Sequence, residues 1–224
     1  MKEAVIVSTA RTPIGKAFRG AFNDTQAQEM AGHAIAEAVK RSKVSKEEID
    51  DVIIGAAGQQ GSQQGNIARQ SLLRAGLPVS VAGMSLDRQC ASGMMAIATA
   101  AKEITEDGMT ITVGGGVESV SLVRNENFRM DRARDPWLEE NIPSLYMTMI
   151  ETAENVAKRY GISRESQDEY SLQSQMRTAN AQKNGLMDKE IVPLKSTMKY
   201  KDKETGEISS HDVCIEKDEG NRPS

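Results

Sequence analysis

From residue 1 to about residue 118 the chain alternates short uncharged apolar runs with segments of helical periodicity, and few folds accept that alternation. The runs at 4–7, 52–54, 83–86 and 109–113 carry almost no charge. Uncharged strands of this kind are buried on both faces, so helices must cover both sides of their sheet. The expectation is an α/β fold, with helices on both faces of a mixed sheet. Functional groups in such sheets collect beyond the carboxyl ends of the strands.

The helical segments carry their own punctuation. Asp24 and Thr25 offer caps for a helix with Ala27, Met30, Ala31, Ala34, Ile35, Ala38 and Val39 on one face. Ser45 and Glu48 form a capping-box pattern ahead of the second strand. A Gly/Gln loop at 55–65 precedes a helix over 66–75, stopped by Gly76 and Pro78. Gly108 ends the third helix, and the last strand leaves through Gly114, Gly115 and Gly116.

Composition shifts near residue 120, which divides the chain into an α/β domain over 1–120 and an inserted, α-rich domain over 121–224. Residues 124–140 are densely charged and hold the single Trp137. Helices are expected at 150–160 and 164–183, ended by Gly161 and by Asn184-Gly185. Strand-like patches follow at 191–192 and 212–215. The second domain reads as incomplete and the chain as truncated.

Charge and cysteine content exclude several classes. The formal net charge of −4, with both signs interspersed, gives no footprint for nucleic acid or for an anionic membrane. No apolar run is long enough to span a bilayer. Two distant cysteines make no disulfide framework, which suits a reducing compartment. A protein of the cytoplasm is expected, with no membrane and no nucleic-acid partner.

Chemistry concentrates at Cys90. The strand over 83–86 runs into a turn that delivers this thiol to the start of a helix with no charge from Ala91 to Ala101. A helix apolar all round is expected to lie enclosed between layers. Its start offers unpaired amides and the positive end of the dipole. An ordinary thiol of pKa about 8.5 is only about 3 per cent thiolate at pH 7, and such a setting favours the anion. The small Ala91, Ser92 and Gly93 leave room for a substrate carbonyl, whose oxyanion the first amides of the helix would hold. The plainer alternative is a small buried residue, as free cysteines usually are.

Other motifs carry less. Gly114-Gly115-Gly116 lacks the spacing of a dinucleotide fingerprint, because Ser119 stands where its last glycine belongs. A close passage of backbone past another segment explains the three glycines. The loop at 55–65 lacks the Lys-Ser/Thr of a phosphate-binding loop. His33 reads as structural, and no residue set suggests a metal. Cys214 and His211 lie in a polar, charged segment poorly suited to partner Cys90. The chain thus offers a nucleophile without a base.

Three motifs in order, Arg11-Thr12-Pro13-Ile14-Gly15, Asp87-Arg88-Gln89-Cys90-Ala91-Ser92-Gly93 and Gly114-Gly115-Gly116-Val117-Glu118-Ser119, resemble those of the thiolases. These are acetyl-CoA acetyltransferases and 3-ketoacyl-CoA thiolases. Residues 151–157, 161–164 and 167–169 are similar to that family's inserted loop domain. The resemblance implies the N-terminal half of a thiolase-like fold with part of the loop domain. It implies Cys90 as the acyl-accepting nucleophile, Met149 lining the pantetheine channel and Arg222 at the nucleotide end of coenzyme A. Acyl-CoA and acetyl-CoA are then substrates, and no metal or redox cofactor is needed. The family's second half would supply a Gly-His-Pro histidine and a Cys-x-Gly base, and neither motif occurs here. This chain alone is therefore expected not to turn over, and the full-length protein to be a homodimer or homotetramer. Asp87 replaces the family's usual Asn, Ser or Thr, and Ile150 a common Gly. The rival readings are a ketoacyl-synthase type of condensing enzyme and a non-catalytic fragment or partner module.

Overall fold

The structure is a computed structural model that describes residues 2–222. Packing divides it into two units: one of residues 2–128 together with 187–220, the other of 129–186 with 221 and 222. Packing thus draws its line elsewhere than the composition shift near residue 120, and residues 187–220 go with the first unit.

The first unit is organised by a parallel sheet of β1 (Asp51–Gly55), β2 (Ala82–Leu86) and β3 (Thr112–Gly116) in the order β2-β1-β3. Every residue of the central strand β1 is buried. Its side chains alternate between two cores. Val52 and Ile54 join Ile67, Ala68 and Leu72 of α2 (Ile67–Arg74) and Ala27, Ile35 and Val39 of α1 (Ala27–Ser42). Ile53 faces the other way, onto Ala96 and Ala100 of α3 (Ser92–Thr105). Helices therefore cover both faces. All three described strands of this sheet are parallel, and antiparallel pairing is confined to a separate hairpin.

Several local readings need correction. The run at 4–7 forms no strand: Val5, Ile6 and Val7 are 68–76% exposed. Apolar β-branched residues make a strand only where a partner's backbone completes the ladder. Here the nearest recorded ladder contact is a single bridge between Arg11 and Ile191. The helix α1 begins at Ala27, the first residue of its expected face, but its cap is Gln26 rather than Asp24 or Thr25. Thr25 is instead buried, its hydroxyl 2.5 Å from that of Ser196. The last strand occupies 112–116 rather than 109–113, because its register pairs Asp51 with Thr112 and Gly55 with Gly116. The amides of Thr110 and Ile111 donate to the Asp50 carboxylate instead.

Other signals translate directly. The capping box at Ser45 and Glu48 closes a turn of 3-10 helix, Lys46–Glu48. Asn66 caps α2 by accepting from the amide of Arg69, and Gly76 follows it at φ 75°.

The strand-like patches near the chain end become the hairpin of β4 (Leu194–Lys201) and β5 (Ile208–Ile215). Leu194, Val213 and Ile215 pack on Ala21 and Phe22. The polar pair Asp218 and Glu219 then ties down the loop at 11–21. Asp218 takes two bonds from the Arg11 guanidinium at 2.7 and 2.9 Å, and Glu219 accepts the amides of Lys16 and Ala21.

The short α4 (Val120–Val123) follows β3, and the second unit holds α5 (Pro136–Asn141), α6 (Met149–Tyr160) and α7 (Arg164–Lys183). Thr148 and Glu151 form a capping box at the start of α6, and Gly161 closes it at φ 63°. None of these three helices contains a fully buried residue. No described helix is long and apolar enough to cross a membrane.

Candidate active site

A knot of hydrogen bonds fixes the turn that carries Cys90. The Asp87 carboxylate accepts the amide of Gln89 at 2.6 Å. An Asn, Ser or Thr side chain presents an oxygen for the same bond, so Asp87 keeps the role while adding charge. Gln89 lies in the left-handed region at φ 50°, a conformation that costs a non-glycine residue about 1 kcal/mol or more. Ser92 stabilises it: its hydroxyl donates to the Gln89 carbonyl at 2.6 Å and accepts from the Arg88 amide at 2.9 Å. Ser92 is itself buried. Cys90 stands at the crest of this turn, free and exposed, one residue before Ala91, the cap of α3.

The geometry refines the expected oxyanion site. The amides of Ala91 and Ser92 are used within the turn, donating to the carbonyls of Arg88 and Gln89 at 3.1 Å each. The next two, of Gly93 and Met94, are those that the start of a helix leaves without intrahelical acceptors. α3 also departs from the expectation of enclosure. Ser92, Ala96, Ala100 and Glu103 are buried, whereas Met94 and Ile97 on the opposite side are 75% and 46% exposed. Apart from Glu103, its buried side carries small residues, while Met94 and Ile97 face outward.

That inversion has a cause in the glycines beneath. A Cβ on Gly55 would lie 2.1 Å from the carbonyl carbon of Ser92. One on Gly116 would come within 3.0 Å of the Gly93 Cα, and one on Gly114 within 2.8 Å of the Ile97 Cα. The helix therefore lies backbone to backbone on the ends of β1 and β3. Gly114 and Gly116 serve a close passage, but from within a strand rather than a turn, while Gly115 meets only an ordinary contact.

Glu118, part of a quoted motif but given no role by sequence reasoning, braces the same end of the sheet. Its carboxylate accepts the amides of Ala57 and Gly58 and the side-chain amide of the buried Gln63. Gln63 in turn accepts the amide of Ser119. The loops leaving β1 and β3 are thereby cross-linked beside the start of α3. An acidic residue two positions past a glycine-rich strand exit was the available signal.

The other candidates fall elsewhere. Met149 is the first residue of α6 and 73% exposed; Ile150 beside it is 77% exposed. Arg222 has its amide donating to Gln175 of α7 at 2.7 Å and is exposed. Both belong to the second unit, Cys90 to the first. Cys214 lies on β5 opposite Lys195, and the His211 ring is 3.0 Å from the Ser209 hydroxyl. His33 bonds the carbonyl of Pro193 at 3.0 Å, a structural contact. Among the described residues no group of His, Cys, Asp and Glu is arranged to hold a metal.

Cys90 thus stands exposed on a braced turn, beyond the carboxyl end of β2 and at the mouth of α3. The family model described as "Thiolase, N-terminal domain" matches residues 4–224, and the chain belongs to the thiolase family. It is similar to the 3-ketoacyl-CoA thiolase of Bacillus subtilis, 40% identical over 200 residues, covering 88% of this chain and 50% of that protein. The acetyl-CoA acetyltransferase of Cupriavidus necator is 40% identical over 204 residues, covering 87% of this chain and 51% of that protein. The crystal structure of the Bacillus anthracis acetyl-CoA acetyltransferase superposes with a TM-score of 0.78 at 35% identity. That match covers 99% of this chain and 56% of the other. The chain thus spans about half the length of the relatives it matches.

Proposed function

We propose that this chain is the nucleophile-bearing half of an acyl-CoA C-acyltransferase that joins or cleaves acyl-CoA thioesters by reversible Claisen chemistry. In the first step the Cys90 thiolate attacks the carbonyl carbon of an acyl-CoA. The carbon–sulfur bond to coenzyme A breaks, and coenzyme A leaves as a thiolate that takes up a proton. In the second, an acetyl-CoA deprotonated at its α-carbon attacks the thioester carbon and returns the electron pair to Cys90. Thioester exchange is nearly neutral in energy, so thiolysis runs through the same steps in reverse. No metal or redox group enters this sequence. The amides of Gly93 and Met94 are the donors that suit the oxyanion. Met149 is assigned to the pantetheine channel and Arg222 to the nucleotide end of coenzyme A.

One observation carries the reading: Cys90 is exposed on a turn that five hydrogen bonds hold at the mouth of α3. The described residues offer no histidine or second cysteine engaged with Cys90. The base is assigned to the part of the relatives' length that this chain does not cover, and this chain alone is not expected to turn over. The whole protein is assigned as a homodimer or homotetramer, and its place to the cytoplasm, the latter supported by two free cysteines that suit a reducing compartment. The test is transfer of a labelled acetyl group from acetyl-CoA in a full-length version. Cys90→Ser abolishes label uptake, while Cys214→Ser leaves it intact. Undiminished uptake by Cys90→Ser overturns the assignment and favours a non-catalytic module.

A further inference from the structure

Three donors converge on the Glu118 carboxylate from the stretch of chain that leaves β1. Oε2 accepts the amide of Ala57 at 2.9 Å. Oε1 accepts the amide of Gly58 at 3.2 Å and Nε2 of Gln63 at 2.8 Å. Gln63 is buried and its orientation is fixed, since its Nε2 also donates to the Gly58 carbonyl at 2.8 Å and its oxygen accepts the Ser119 amide. A carboxylate presents an acceptor oxygen in both directions, which a side-chain amide does not. Bonds to an ionised acceptor are also the stronger kind.

The segment held in this way is the footing of the Cys90 turn. Ala56, next to Ala57, donates its amide to the carbonyl of Leu86 at 3.0 Å, and Leu86 is the last residue of β2 before Asp87 opens the turn. On the other side the amide of Val117, next to Glu118, donates to the carbonyl of Gly55 at 3.0 Å. Gly55 and Gly116 are the residues against which the backbone of Ser92 and Gly93 rests. One carboxylate therefore ties the exits of β1 and β3 together and, by way of Ala56, the end of β2 as well. Above this footing Gln89 stands at φ 50°, and a left-handed residue keeps that conformation only while its surroundings over-determine it.

We propose that Glu118 is a positioning residue for Cys90, acting through the Ala56–Leu86 bond on the turn that carries the sulfur. This assignment rests on the acyl-transfer reading of Cys90. The bonds of Glu118 run to residues 57–63, so it acts through backbone and not by contact with the sulfur. Without the carboxylate, Ala57 and Gly58 lose their acceptor and the loop leaving β1 shifts. Leu86 then loses a fixed donor, Gln89 relaxes, and Cys90 moves away from the mouth of α3.

The test compares Glu118→Ala and Glu118→Gln in the 224-residue chain, with Cys214 as the control within each sample. Gln keeps one acceptor oxygen, for Gly58 and Gln63, but turns an N–H towards Ala57. Under limiting iodoacetamide the folded Ala variant is expected to alkylate Cys90 about tenfold more slowly than the parent chain and the Gln variant about threefold, with Cys214 unchanged. Amide hydrogen exchange is expected to quicken about tenfold at Ala56 and Ser92 in both variants and to stay the same at Val39 of α1. A role confined to stability lowers the urea midpoint without moving the Cys90 rate of the folded chain. An unchanged Cys90 rate in folded Glu118→Gln overturns the positioning role, and that variant decides alone if Glu118→Ala does not fold. A parent chain in which Cys90 reacts no faster than Cys214 removes the acyl-transfer reading first, and this assignment with it.

Discussion

The two faces of the sheet are covered in opposite ways, although one strand serves both. Towards α1 and α2, β1 presents Val52 and Ile54, and large side chains interdigitate until Ile67 and Leu72 are wholly buried. Towards α3 it presents Ile53 against alanines, and at its end a glycine that lets the helix backbone touch the strand. The first arrangement stabilises through apolar area, at about 1.5–3 kcal/mol for each fully buried large side chain. The second buries little area per residue but fixes distances, because backbone atoms cannot change rotamer. The Cys90 turn sits on the second face. Apolar bulk supports the fold there less than close approach positions the site.

That contrast predicts which substitutions hurt most. Gly55→Ala forces a methyl group into the carbonyl of Ser92, which is backbone and cannot swing aside. The expected cost is about 4 kcal/mol or more, measured by urea unfolding, with loss of the native turn at Cys90. A cost below about 1 kcal/mol shows that α3 slides freely on the sheet. Next comes Leu72→Ala on the other face, expected to cost about 3 kcal/mol through lost burial and a residual cavity. It leaves the alkylation rate of Cys90 unchanged in the folded fraction. A slowed Cys90 joins the two faces into one functional unit and removes the distinction.

The smallest effect has the opposite sign. Glu103 is a buried acid on the sheet side of α3 with one carboxylate oxygen unpartnered. Burial pushes its pKa up, and the nearby Asp51 and Asp107 push it further in the same direction. Burial likewise raises Asp51. An acid with a raised folded pKa binds protons more readily folded than unfolded. Its contribution is therefore favourable below the ordinary carboxylate range and is lost as pH rises through the raised value. Glu103→Gln is expected to stabilise the chain at pH 7 by about 1 kcal/mol, with the gain vanishing in acid. Thermal unfolding across pH 4 to 8 checks it; a gain that persists at pH 4 refutes the burial explanation.

Much of this was legible in the residues. Uncharged runs at 52–54 and 83–86 became strands because they are buried, or paired, on the terms their patterns suggest. Cap and breaker residues such as Ser45, Gly76 and Gly161 did locally what their chemistry dictates. The sequence misled where a partner outside the local window decides. Residues 4–7 have the composition of a strand, but a strand exists only as a ladder. The helix after Cys90 looked enclosed because its residues are apolar, yet its alanines turn inward on the glycines and Met94 and Ile97 turn outward. Cys90 itself was visible from its place between a strand and an apolar helix. Glu118 was not, since its role depends on amides sixty positions earlier in the chain.

The proposed acyl transfer requires a reactive sulfur at Cys90, and the second cysteine supplies an internal control. Cys90 and Cys214 are both free and exposed, so access alone does not separate them, and a difference in reactivity reports on surroundings. In the folded chain treated with limiting iodoacetamide, peptide mass spectrometry is expected to find Cys90 alkylated at least tenfold faster than Cys214, with the difference abolished in urea. Equal rates in the folded chain contradict the account.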